Sequence, residues 1–129
     1  MKRALVVDDD SRVLALIRRW LASAGFDTVT SADFEDARIQ LHLCQPAILV
    51  SDVRLGQFNG LHLGILARQA RPDVRLVFIS GWDDPVLRRD AAELGAMYLQ
   101  KPVRVADLLS AVQEQDETAR APVAVTPHG

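Results

Sequence analysis

The stretch 47–52, reading Ala-Ile-Leu-Val-Ser-Asp, constrains the fold more than any other part of this 129-residue chain. Four apolar residues in a row follow Pro46, and the run stops at a carboxylate. An apolar run this short, with β-branched members, fits a strand buried on both faces, since a helix would need about ten or more residues. Such a strand lies in the middle of a parallel sheet. Open parallel α/β sheets bind ligands beyond the carboxyl ends of their strands, so Asp52 is placed for chemistry. The competing reading is that Asp52 merely caps the loop that follows.

The same pattern recurs along the chain. Ala4 to Val7 is an apolar run ending in Asp8-Asp9-Asp10, and Val13, Leu14, Ile17, Leu21 and Ala24 then mark one helix face, stopped by Gly25. Phe26 to Thr30 reads as a short strand. Ser31 or Asp33 caps a helix that carries Phe34, Ala37 and Leu41 on one side. After Asp52 comes a loop, 53–60, then a helix with Leu61, Ile65 and Leu66 on one face. Gly64 inside that helix costs about 1 kcal/mol relative to alanine, which points to close packing. Val74 to Ile79 is a further apolar run, closed by Ser80-Gly81, with Pro85 at the first turn of the next helix and Gly95 at its end. Met97-Tyr98-Leu99 forms a last strand, Lys101-Pro102 a turn, and Val105, Leu108, Leu109 and Val112 the stripe of a final helix. Five strands alternating with five helices imply right-handed crossovers and a parallel sheet covered on both faces.

Length and composition bound the rest. The chain suits one domain: residues 1–117 form it, and 118–129, with two prolines and no apolar stripe, form a flexible C-terminal tail. With 49% hydrophobic and 25% charged residues, the composition is that of a soluble globular domain. No apolar run approaches the roughly 18 residues of a membrane span, and Met1-Lys2-Arg3 leads straight into a strand, unlike a signal peptide. A cytoplasmic location is expected. A lone Cys44 makes no internal disulfide and reads as a buried, inert thiol. The net charge of −2 argues against a basic nucleic-acid surface, and Arg18-Arg19 and Arg88-Arg89 read as solvated helix faces.

Strands ending at Asp8-Asp9-Asp10, Asp52, Ser80 and Lys101 deliver polar groups to one edge of the sheet. Carboxylates gathered there repel one another unless a cation neutralises them. Hard oxygen ligands favour Mg²⁺, or Mn²⁺ in its place, over zinc. His42, His62 and His128 are too scattered to serve as ligands or bases. Lys101 neutralises phosphoryl charge, and Ser80 donates a hydrogen bond to a phosphoryl oxygen. Asp10 or Ser11 is left to cap the first helix.

Taken together, these residues resemble the receiver domain of two-component response regulators. The matching pieces are Asp8-Asp9 after Leu5-Val6-Val7, Asp52, Phe58-Asn59-Gly60, Ser80 after Val77-Phe78-Ile79, and Tyr98-Leu99-Gln100-Lys101-Pro102, in order over about residues 3 to 115. The resemblance implies a flavodoxin-like (βα)5 sandwich of the α/β class, with strand order 2-1-3-4-5. It implies that Asp52 accepts a phosphoryl group from a sensor histidine kinase or histidine phosphotransfer protein. Asp8, Asp9, Asp52 and the backbone carbonyl of Arg54 then hold Mg²⁺, with Asp8 acting mainly through metal-bound water. Lys101 pairs with the carboxylate and then the phosphoryl group, while Ser80 and Tyr98 move as the switch. The face built from the fourth helix, last strand and last helix reports the change to a downstream protein, as a monomer or as a phosphorylation-dependent dimer. Such a domain is not an enzyme in the ordinary sense; it assists only its own phosphorylation and dephosphorylation.

This chain departs from the family pattern at two places. Gly56 stands where proline is usual, and Ser80 replaces the commoner threonine, losing a methyl that restricts its rotamer. Arg54 and Trp82, two residues past Asp52 and Ser80, are placed to stack as cation and ring and to shield the phosphoryl group from water, modulating dephosphorylation. The sequence also admits two rival readings. One is a phosphohydrolase with Asp8 as nucleophile, disfavoured because the chain has no room for a substrate-enclosing cap. The other is a pseudo-receiver that binds a partner without being phosphorylated.

Overall fold

The structure is a computed structural model, and it describes residues 2–113. The tail expected from residue 118 lies outside the described residues, as does His128. In chain order the elements are β1 (Arg3–Val7), α1 (Ser11–Ser23), β2 (Asp27–Ser31), α2 (Phe34–Cys44), β3 (Ile48–Asp52), α3 (Gly60–Ala70), β4 (Arg75–Ser80), α4 (Pro85–Glu93), β5 (Met97–Gln100) and α5 (105–113). The five strands form one parallel sheet in the order β2-β1-β3-β4-β5, as the resemblance implied. The expected loop after Asp52 is ordered further, into a two-residue antiparallel ribbon pairing Arg54–Leu55 with Phe58–Asn59. Gly56 turns this ribbon with φ of 63°, a left-handed conformation that a proline could not adopt.

Side-chain alternation divides the core into two layers. Ala4, Val6, Ile48, Val50, Val77 and Ile79 face α1 and α5. Leu5, Val7, Leu49, Leu76 and Phe78 face α2, α3 and α4. All five residues of β3 are buried: Ile48, Leu49 and Val50 as the apolar run required, and the polar Ser51 and Asp52 along with them. Each fully buried leucine or isoleucine on these faces contributes about 1.5–3 kcal/mol, so the central strands anchor the edge that follows them.

Helix starts follow the capping chemistry. Asp10 caps α1 by accepting the Arg12 N–H, and Ser11 is the first helical residue. Asp33, and not the buried Ser31, caps α2. Asp84 caps α4 ahead of Pro85. Three helix faces differ from the periodicity. In α1, Ile17 and Leu21 are buried while Ala24 is the exposed C-cap. In α3 the sheet-facing residues are Leu61, Leu63, Gly64 and Ala67, and Ile65 is exposed. That helix is apolar on several sides, so periodicity does not choose its face; packing does, because a Cβ on Gly64 would sit 2.7 Å from the Phe78 ring. In α5, Leu108, Ala111 and Val112 are buried and Val105 faces out. Cys44 is half-buried, its thiol donating to Gln40 Oε1.

Candidate phosphoacceptor site

Strand register assembles the site. Val7 pairs with Ser51 and Asp52 pairs with Ile79, so Asp8, one residue past β1, comes level with Asp52. Ser80 pairs with Gln100, which puts Lys101 one residue beyond the serine on the neighbouring strand. The Lys101 N–H donates to the Ser80 carbonyl and fixes that relation. The peptide bond between Lys101 and Pro102 is cis.

Asp8 and Asp52 are buried and Asp9 is exposed, and one carboxylate oxygen of each lies within 4.8 Å of the others. The Lys101 ammonium stands between the two buried acids, 3.1 Å from Asp8 Oδ2 and 3.3 Å from Asp52 Oδ2. Burial pushes the Asp52 carboxyl above its ordinary pKa and the neighbouring Asp8 pushes it further, against the pull of Lys101 and the Arg54 N–H. Burial alone would lower the Lys101 ammonium, but Asp52 and Asp8 together outweigh it and raise its pKa. Asp8 Oδ1 accepts the Asp10 N–H, whereas its buried Oδ2 has no aligned hydrogen-bond donor despite its closeness to Lys101. A buried carboxylate oxygen met only by the Lys101 ammonium, two further carboxylates and one side open to solvent fit a divalent cation with oxygen ligands that keeps some of its water.

Two backbone approaches hold Asp52. Its Oδ1 accepts the Arg54 N–H at 3.4 Å, a long contact. Gly60 crosses directly behind it: a Cβ there would lie 2.0 Å from the Asp52 carbonyl oxygen, and the Gly60 N–H donates to the Val53 carbonyl. The Phe58-Asn59-Gly60 turn thus supports the carboxylate's strand end, while Asn59 caps α3.

Ser80 at the end of β4 and Tyr98 in β5, the residues expected to move as the switch, both contact Trp82 on the loop after β4. The buried Ser80 Oγ accepts the Trp82 N–H at 3.1 Å. Tyr98 is partly buried, and its hydroxyl donates to the Trp82 carbonyl at 3.2 Å. The Arg54 guanidinium lies 4.0 Å from the Trp82 ring centroid, in the stacking expected from sequence. Sequence reasoning missed Arg88, whose guanidinium covers the Tyr98 ring at 4.6 Å; only the docking of α4 against β5 brings them together. His42 and His62 are exposed on α2 and α3, away from the acids.

The response regulator receiver domain model matches residues 4–113. The chain belongs to that family. Its receiver sequence is 30% identical to the photosynthetic apparatus regulatory protein RegA of Rhodobacter capsulatus, over 92% of this chain and 65% of that one. It is 33% identical to the transcriptional regulatory protein PrrA of Mycobacterium tuberculosis, over 86% of this chain and 48% of that one. The chain therefore spans at most about two thirds of these curated relatives. Among solved structures, a response regulator from Burkholderia pseudomallei with a phosphorylated aspartic acid, calcium ion and citrate superposes with TM-score 0.82 at 25% identity, covering 98% of this chain and 76% of that chain. A CheY-like receiver domain from Methanospirillum hungatei gives TM-score 0.84 at 25% identity, covering 93% and 98%. The receiver is a signalling domain of two-component systems, and no helix among its described residues is long and apolar enough to cross a membrane.

Proposed function

We propose that this receiver accepts a phosphoryl group on Asp52 from a sensor histidine kinase or histidine phosphotransfer protein. The observation that carries the reading is the Lys101 ammonium held between Asp52 and Asp8 at the carboxyl edge of the sheet. In the proposed transfer an Asp52 oxygen attacks phosphorus, the bond from phosphorus to the donor breaks, and its electron pair leaves with the donor nitrogen. Lys101 then neutralises phosphoryl charge in place of carboxylate charge. The Ser80 oxygen already accepts from Trp82, which leaves its O–H to donate to a phosphoryl oxygen.

Asp8, Asp9, Asp52 and the Arg54 carbonyl would hold Mg²⁺. When bound, the ion would offset the charge of the acids and of the incoming phosphoryl group. An added charge of about −2 draws Ser80 and Lys101 toward it and biases the loop and the position of Tyr98. The surface of α4, β5 and α5 carries that bias to a downstream protein. Arg54 and Trp82 stand over the approach to Asp52 and slow the attack of water. The receiver assists its own phosphorylation and dephosphorylation and catalyses nothing further. Incubation with acetyl phosphate and Mg²⁺, followed by intact mass, tests the reading. Wild type gains one phosphoryl group, and Asp52→Asn or a chelator abolishes the gain. A wild type that stays unmodified even with a cognate kinase would make the domain a pseudo-receiver.

A further inference from the structure

Trp82 is held from three sides: Ser80 takes its N–H, Tyr98 takes its carbonyl, and Arg54 covers its ring. The Tyr98 hydroxyl on the Trp82 carbonyl is thus one of three contacts that hold the loop following Ser80, and the one that ties it to β5. The Tyr98 ring in turn has Arg88 against it at 4.6 Å, and the Arg88 guanidinium is turned to that ring by Asp83, whose Oδ1 accepts from Nε at 3.3 Å and from Nη2 at 3.0 Å. Asp83 lies on the same loop as Trp82, one residue beyond it. Loop, tyrosine and first turns of α4 thus form a closed circuit: Trp82 to Tyr98 by hydrogen bond, Tyr98 to Arg88 by ring contact, Arg88 to Asp83 by ion pair.

We infer that Arg88, oriented by Asp83, is a positioning residue for the switch: it sets how readily Tyr98 leaves the Trp82 carbonyl and so how firmly Ser80 is presented to Asp52. This rests on the proposed role of Ser80 and Tyr98. Both ends of the Asp83–Arg88 pair are exposed, so the pair itself adds little in water and serves mainly to aim the guanidinium. The ring contact then tunes a population and does not lock it, which suits an element that has to move. An exposed cation over an aromatic ring shifts such a population by about 2- to 5-fold.

Tyr98 is the only tyrosine in the chain, so 3-fluorotyrosine labels this one ring. Fluorine NMR with saturation transfer on the full chain reads the ratio of released to held ring. Arg88→Ala is expected to raise that ratio about 2- to 5-fold in the unphosphorylated protein. Asp83→Asn moves it the same way by less, Arg88→Lys restores part of the hold, and Arg89→Ala, on the exposed neighbour, leaves it at the wild-type value. An Arg88→Ala spectrum that coincides with wild type, or an Arg89→Ala change of equal size, overturns the inference alone. A wild-type resonance that ignores phosphorylation confirmed by mass overturns the switch role of Tyr98, and this inference with it.

Discussion

The acid pocket and the loop that overlooks it are built to different standards. Asp8 and Asp52 are buried and face one lysine, and the Asp52 backbone is pressed from behind by Gly60 at a distance that admits no side chain. Trp82, two residues past Ser80, is 57% exposed and held by two single hydrogen bonds and a surface stacking contact. In the proposed function the pocket fixes where charge is received, and the more lightly held loop responds to it. A receiver needs both, because a rigid loop carries no signal and a loose pocket places no carboxylate.

Substitutions that probe this contrast span a range of effects. Gly60→Ala strikes the pocket hardest: its Cβ meets backbone that cannot rotate away, so it is expected to cost about 3 kcal/mol in urea unfolding. A cost below about 1 kcal/mol would mean the pocket is as pliable as the loop. Lys101→Met leaves two buried acids without their cation. It is expected to cost about 2 kcal/mol in chelator, less than a fully buried pair because Lys101 is partly exposed, with part of the loss recovered on adding Mg²⁺. Equal melting curves with and without Mg²⁺ would count against a cation in this pocket.

Asp52→Asn works in the opposite direction. The folded chain holds the Asp52 proton more tightly than the unfolded chain does, so ionising it destabilises the fold as pH rises past the ordinary carboxylate range. Asp52→Asn in chelator should therefore be more stable than wild type at neutral pH. That advantage should vanish below about pH 4, where both folded and unfolded chains keep the proton. A constant difference across that range would place the gain elsewhere. The smallest effects belong to the loop: Arg54→Ala and Trp82→Ala each shorten the phosphoryl lifetime by about 2- to 5-fold, with little change in stability. Unchanged lifetimes in both would remove their shielding role.

Much of this contrast was legible in the sequence, and unevenly so. The central strands declared themselves because a strand buried on both faces carries an unbroken apolar run, and residues 47–50, which lead into Ser51 and Asp52, are the clearest case. The acids and Lys101 followed, since a parallel sheet carries every strand end to one edge. The face of α3 was not legible, because its apolar residues lie on more than one side and only the fit of Gly64 to Phe78 selects the inner one. The close approach of Gly60 to Asp52, and of Arg88 to Tyr98, depends on tertiary packing that no spacing records. The Arg54–Trp82 stack was foreseeable because both residues sit a fixed two positions past strand ends already placed side by side.

The most direct test of the central claim is to locate the phosphoryl group. Borohydride reduction of the acetyl phosphate-treated protein converts an aspartyl phosphate to homoserine, which peptide mass spectrometry then places in the chain. Homoserine at position 52 alone is the predicted result. Homoserine at position 8 or 9, with Asp52 intact, would contradict it and transfer the nucleophile's role to the end of β1.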